Sequence, residues 1–262
     1  MSISIIGGET ARPAVSSNMG KDAVHQTNGL FWDTKGNEVL GATALPRYGA
    51  YISEESCKLF GNIAGKWLLE IGCGSGESLC YLGEQGAAEL WGIDISRQQI
   101  EKTGQKLAAR GLSATLICSP MEAECGIPAD YFDIVYSVYA IGWATDLEGA
   151  FRRIASYLKQ GGSFIFSWSH PIHKCVAMEG GALVFKKCYF DDSWYSLTLG
   201  DSTLTLCDRM LSTYINALAK AGFAIERMIE RSDDELLRDD NSDFARKAEM
   251  LPVTFVIKAK KL

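Results

Sequence analysis

Apolar runs such as Phe164-Ile165-Phe166 are far too short to cross a bilayer, which takes roughly 20 residues as a helix. No N-terminal run joins a basic region to an apolar core of sufficient length, so no signal peptide is expected. Histidine is scarce, with three in the chain, and the eight cysteines (Cys57, Cys73, Cys80, Cys118, Cys125, Cys175, Cys188 and Cys207) never form C-x-x-C. That spacing argues against a structural zinc site, and no metal is expected. Several of these cysteines fall inside apolar patterns, where a free thiol behaves as a small hydrophobe, so a reduced, cytoplasmic protein is expected. Positive charge is in deficit too: the formal net charge is −6 and the sequence pI about 5.2. Lysine and arginine are scattered apart from Lys258, Lys260 and Lys261. A nucleic-acid binder usually presents a basic face, so neither nucleic acid nor membrane is the expected partner. There is no internal repeat and no break in composition that would mark a second domain.

The 262 residues, 47% of them apolar, suffice for one large α/β domain with insertions. Its centre is Leu68-Leu69-Glu70-Ile71-Gly72-Cys73-Gly74-Ser75-Gly76, an apolar strand running into three glycines at alternate positions. A buried parallel strand reads as a continuous apolar run, and glycines directly after it let the backbone turn sharply and approach a ligand. A dinucleotide fingerprint would place a third glycine at position 77 and a pyrophosphate against the next helix. Position 77 is Glu77, and Glu70 already ends the strand, so two carboxylates crowd the place a pyrophosphate would take. A cationic ligand without phosphates is more welcome there.

Strand two, 89–94, ends on Asp94, 22 residues beyond Gly72, near the spacing at which a carboxylate accepts hydrogen bonds from ribose hydroxyls. The same position could instead cap the helix that starts near Ser96. Further helices are predicted over 54–59, 77–85, 96–110, 147–158 and 209–221. Further strands are predicted over 114–118, 132–137, 163–168, 223–229 and 251–258. Residues 1 to about 28 show no clear periodicity and read as an arm that is mobile or orders over a ligand. The long interruption from His170 to about Cys207 is rich in aromatics, and 230–249 reads as a solvated helix or a second flap.

These segments resemble the class I S-adenosylmethionine-dependent methyltransferases. E-x-G-x-G-x-G over 70–76 matches the first motif of that family, G-x-D-x-S over 92–96 its second, and F-D-x-V over 132–135 its fourth. Arg47-Tyr48-Gly49 and the His170-Pro171 pair are similar to bacterial small-molecule members. The resemblance implies a Rossmann-like seven-stranded sheet in the order 3-2-1-4-5-7-6, the last strand antiparallel, with helices on both faces. It divides the chain into an N-terminal arm, 1–45, that covers the cofactor and a methyltransferase domain, 46–262, with a substrate lid inserted over about 170–208. The cofactor it implies is S-adenosyl-L-methionine, leaving as S-adenosyl-L-homocysteine, held by Glu70, Gly72, Cys73, Gly74, Gly76, Asp94, Ile95, Met121, Glu122 and Ser137, with Tyr48 and Trp32 as candidates for its wall. The expected acceptor is a small molecule methylated on O, N or C. His170 is the candidate base, by its pKa range and its place after strand five, and Tyr139 the candidate acceptor-orienting group. Gly142 stands where many relatives carry histidine. A cofactor-binding protein without catalysis and a nicotinamide oxidoreductase remain the alternative readings, and a monomer or homodimer is expected.

Overall fold

The computed structural model describes residues 20–39 and 43–262. Its frame is a seven-stranded sheet of β1 (Trp67–Ile71), β2 (Glu89–Asp94), β3 (Thr115–Cys118), β4 (Phe132–Val138), β5 (Leu158–Ser169), β10 (Phe223–Ile229) and β11 (Thr254–Lys261). These run in the order β3-β2-β1-β4-β5-β11-β10. β1 to β5 pair in parallel, and β11 lies antiparallel to both β5 and β10, which is the expected order with the reversed final strand. The central strand β1 is buried over Leu68 to Ile71, as a parallel strand covered on both faces must be.

Around the sheet lie α3 (Glu77–Glu84), α4 (Arg97–Ala109), α5 (Leu147–Tyr157) and α7 (Leu211–Lys220). Ser96 caps α4 by accepting the Gln99 N–H at 3.1 Å, and Asp146 caps α5 by accepting the Gly149 N–H at 2.9 Å. The main core packs Phe132, Phe151, Phe164, Phe166, Tyr214 and Phe255 between α5, α7 and the sheet.

Two parts depart from the regular alternation of strand and helix. The aromatic stretch after β5 forms a short helix, α6 (Pro171–Cys175), and two hairpins, β6 (Val176–Glu179) with β7 (Ala182–Phe185) and β8 (Trp194–Leu199) with β9 (Ser202–Cys207). The charged stretch before β11 forms α8 (Asp234–Leu237) and α9 (Asp243–Met250), while α2 (Glu54–Cys57) precedes β1. α9 is not fully solvated, because Ala245, Lys247 and Ala248 are buried.

Within the arm, residues 1–19 lie outside the described residues, and Lys21–Val39 is a helix, α1. Its buried positions Val24, Asn28, Phe31 and Trp32 follow the helical spacing i, i+4, i+7, i+8. A polar residue in the middle of the stripe, together with Gly29 and Gly36, conceals that period in the sequence. β5 begins five residues before its expected start because Leu158 pairs with Phe132 ahead of an irregularity in the ladder.

Candidate functional site

β1, β2 and β4 end at one edge of the sheet, and there the chain encloses a cavity of about 290 Å³. Open α/β sheets bind ligands outside the carboxyl ends of their strands, and this cavity occupies that place. Its floor is the turn after β1. Gly72 has φ +73°, and a Cβ there would stand 2.2 Å from the Ala140 Cβ, so only glycine fits the turn. The Gly72 and Cys73 N–H groups donate to the Ile93 carbonyl at 2.8 and 3.0 Å, tying the turn to β2. The Cys73 thiol is pushed well up by burial, beside the negative charges of Asp94 and Glu70, which leaves it a packing group.

Asp94 faces this turn. One of its oxygens accepts the Gly74 N–H and the other the Ser96 N–H, both at 2.9 Å. Each carboxylate oxygen has a second lone pair, so the pair can still accept from two neighbouring hydroxyls. Burial raises the Asp94 carboxyl while the two backbone donors oppose that shift. Beside it Gln99 donates to the Trp32 carbonyl at 3.4 Å, and the buried Gln99 Oε1 has no partner among the described residues. Gln99 lines the same cavity. Its orphaned acceptor is the kind of group a bound ligand satisfies.

Four carboxylates line the cavity, Glu70, Glu77, Asp94 and Glu122, and among the described residues no lysine or arginine does. Their electrostatics differ. Glu77 forms an ion pair with Lys106 and lies 3.7 Å from Arg110, so its charge is largely spent outside the cavity. Glu70 is fully buried and its pKa is pushed up to about 8, by burial first, against hydrogen bonds from Ser78 and Tyr136 that favour the anion. The Tyr136 hydroxyl donates to it at 3.2 Å. Glu122 moves the other way. Burial would raise it, but His25 and the Asp146 N–H outweigh burial and hold it below the ordinary carboxylate range. Its Oε2 lies 3.3 Å from His25 Nε2.

The remaining sequence candidates divide into those the structure brings to the cavity and those it does not. Ile95, Met121, Tyr139 and Trp32 line it. Gly76 does not, being the N-cap of α3 packed on Thr103. Ser137 is buried behind the cavity wall, where its hydroxyl donates to the Ile71 carbonyl at 2.9 Å and ties β4 to β1. Tyr48 is fully buried, and its hydroxyl donates to Glu54 at 2.6 Å, so it belongs to the core.

His170 is also absent from the lining. Its Nδ1 caps α6 by accepting the Ile172 N–H at 3.2 Å, which leaves the proton on Nε2 to be donated to Glu230 at 2.8 Å. Both nitrogens are committed to structure, and the ring is 6% exposed. Tyr139 does reach the cavity, with φ +54° and its hydroxyl 2.8 Å from the Thr254 hydroxyl. Burial pushes its pKa up to about 12, so it is a neutral hydrogen-bonding group near pH 7. A Cβ on Gly142 would stand 1.8 Å from the Trp168 indole, which fills the space a larger residue would need.

Sequence reasoning missed several cavity residues, His25, Asn28 and Gln99 among them. The first two belong to α1, whose period was hidden. Trp143 lies in the 3-10 turn after β4 and meets Trp32 and Trp168 edge-on at 5.3 and 5.4 Å.

A family model described as "Methyltransferase domain" matches residues 69–166, the span from β1 to β5 that carries the glycine turn, Asp94 and the Glu122 loop. Over those residues the chain is similar to that family. The chain is 36% identical over 108 residues to the aklanonic acid methyltransferase DauC of Streptomyces sp., a match covering 40% of this chain and 49% of that protein. It is 27% identical over 178 residues to a ubiquinone biosynthesis O-methyltransferase of Bradyrhizobium sp., covering 65% of this chain and 67% of the relative. The chain spans about half the length of the first curated relatives it matches. An S-adenosylmethionine dependent methyltransferase of Mesorhizobium loti shares the fold, with a TM-score of 0.70 at 24% identity over 81% of this chain and 99% of that one.

Proposed function

We propose that this protein transfers a methyl group from S-adenosyl-L-methionine to an O, N or C atom of a small-molecule acceptor by in-line displacement. The observation that carries the proposal is the meeting, in one cavity, of the glycine turn, the two open edges of the Asp94 carboxylate and a wall that carries carboxyl groups and no lysine or arginine among the described residues. A ligand with two vicinal hydroxyls and cationic groups fits these partners, whereas a diphosphate would meet carboxylates and no basic side chain but His25.

When bound, the cofactor supplies an activated methyl on a sulfonium, which carries most of the driving force. Asp94 would hold its ribose and Glu70 would face its positive charge, while Ile95 and Met121 offer apolar walls to its base. The chain's own part in the reaction is to hold the acceptor at attack distance and to exclude water. Tyr139, Trp143 and Trp32 form the wall available for that task. Tyr139 orients an acceptor as a neutral hydroxyl, held by Thr254. We assign His170 no proton transfer, a reading supported by its place outside the cavity lining and by the engagement of its ring nitrogens with Ile172 and Glu230.

The test is a binding screen followed by turnover. S-adenosylmethionine and S-adenosylhomocysteine are expected to raise the melting temperature while NAD and NADP do not. A methyl-release assay over small phenols, amines and acids then finds the acceptor class. Stabilisation by a nicotinamide cofactor alone contradicts the proposal, and binding without release on any acceptor leaves a cofactor-binding protein.

A further inference from the structure

The hairpin of β8 and β9 contributes no residue to the cavity lining, yet a buried side chain of α1 holds it to the cavity. In this antiparallel pair Thr205 stands opposite Ser196. The Thr205 N–H donates to Asn28 Oδ1 at 2.8 Å, and Asn28 Nδ2 donates to the Thr205 carbonyl at 2.8 Å. The carboxamide thus behaves as one more peptide unit laid along the edge of β9, satisfying a donor and an acceptor at once. Asn28 is 4% exposed and also lines the cavity. Around this clasp Phe31 and Trp32 pack on Tyr195, Leu204 and Leu206.

Five residues beyond Asn28, α1 is tied to the ribose side of the cavity. Asp33 accepts the Ser96 hydroxyl at 2.6 Å and the Gln98 N–H at 3.1 Å, and the Ser96 N–H donates to Asp94. A continuous path therefore runs from Asp94 through Ser96 and Asp33 along one rigid helix to Asn28 and Thr205. A ligand seated against Asp94 and the cavity face of α1 would hold that helix in place. The hairpin would be held with it.

We propose that Asn28 is a positioning residue that couples cofactor binding to ordering of the β8-β9 hairpin. The inference rests on the reading of the cavity as an S-adenosylmethionine site. Asparagine suits the role because it presents one donor and one acceptor in a plane. Aspartate keeps the shape but sets a carboxylate oxygen against the Thr205 carbonyl, and alanine removes both bonds.

Hydrogen exchange of the full chain, read by mass spectrometry with and without S-adenosylhomocysteine, tests this. In the wild type the ligand is expected to slow exchange both in the glycine turn, 72–76, and in the hairpin, 195–206. In Asn28→Ala and Asn28→Asp the turn is still protected, while hairpin protection drops by about tenfold or more. Unchanged exchange in β4 and β5 shows that a variant is folded, and Asn28→Asp carries the test if the alanine variant is not. Hairpin protection that persists in a folded variant overturns the inference, as does a wild type whose turn is protected and whose hairpin is not. A wild-type turn unaffected by the ligand overturns the cofactor reading itself.

Discussion

Glu70 carries a proton through most of the neutral range in the ligand-free protein, because burial has moved its pKa to about 8. A cation seated beside it favours the carboxylate and expels that proton. Affinity for S-adenosylmethionine is therefore expected to rise with pH up to about 8 and then level off, with proton release on binding. Calorimetry in buffers of different ionisation enthalpy measures both, and an affinity flat between pH 6 and 8 removes Glu70 from the cofactor's electrostatics. Gly142 makes a separate prediction. Placing a methyl group against the Trp168 indole is expected to cost about 1–3 kcal/mol, as overpacking usually does. Denaturant unfolding of Gly142→Ala reads the loss. The placing of Glu70 in the first strand, of Gly72 in the turn after it and of Asp94 at the end of the second was legible because a strand end and a glycine turn are local features. The commitments of His170 and Tyr48 were not, since Glu230 lies 60 residues from the first. The buried bond from Tyr48 to Glu54 shows only once the chain between them has folded back.

The inserted elements are tied together by a buried charge. Asp208 accepts from Lys174 at 2.7 Å and from Lys187 at 2.8 Å, joining α6 to the segments on either side of the β8-β9 hairpin. Burial works against its carboxylate, yet the two ammonium groups hold its pKa far below the usual range. Asp208→Asn leaves two half-buried cations without that charge, and breaking such an arrangement costs about 3–5 kcal/mol. A fall of that size in unfolding free energy is expected. A change under 1 kcal/mol would mean that the network is solvent-screened. His173 of α6, packed against Phe244 of α9, carries an opposite sensitivity. His173 is 2% exposed, neither ring nitrogen has a partner among the described residues, and burial lowers its pKa to about 3 from 6.5, with Lys247 and Lys174 adding to the shift. Between those two values the unfolded chain takes up a proton that the folded chain refuses, so stability falls as pH drops below about 6.5. His173→Phe, which keeps the ring against Phe244, is expected to shift acid unfolding to lower pH, and an unchanged midpoint would contradict it. Periodicity identified most of the regular helices and strands in this chain. α1 was missed because Asn28 occupies its apolar stripe, and the hairpins because short edge strands alternate too weakly to stand out.

At the scale of the whole molecule, the sheet brings the ends of β1, β2 and β4 together, and α1 crosses that edge as a cover joined to the hairpin behind it. The strand order was within reach of the sequence through its family resemblance, while the closure of α1 over the cavity depends on contacts between residues more than 60 positions apart. No helix among the described residues is long and apolar enough to cross a membrane. The central claim is that an acid-walled cavity grips a cationic nucleoside through Asp94. Isothermal calorimetry with S-adenosylhomocysteine on the wild type and on Asp94→Ala tests it most directly. The account predicts saturable binding by the wild type. Each hydrogen bond lost to a charged group is worth about 1.5–3 kcal/mol, so the variant should bind at least tenfold more weakly. No binding by the wild type, or equal affinity in the two proteins, would contradict it.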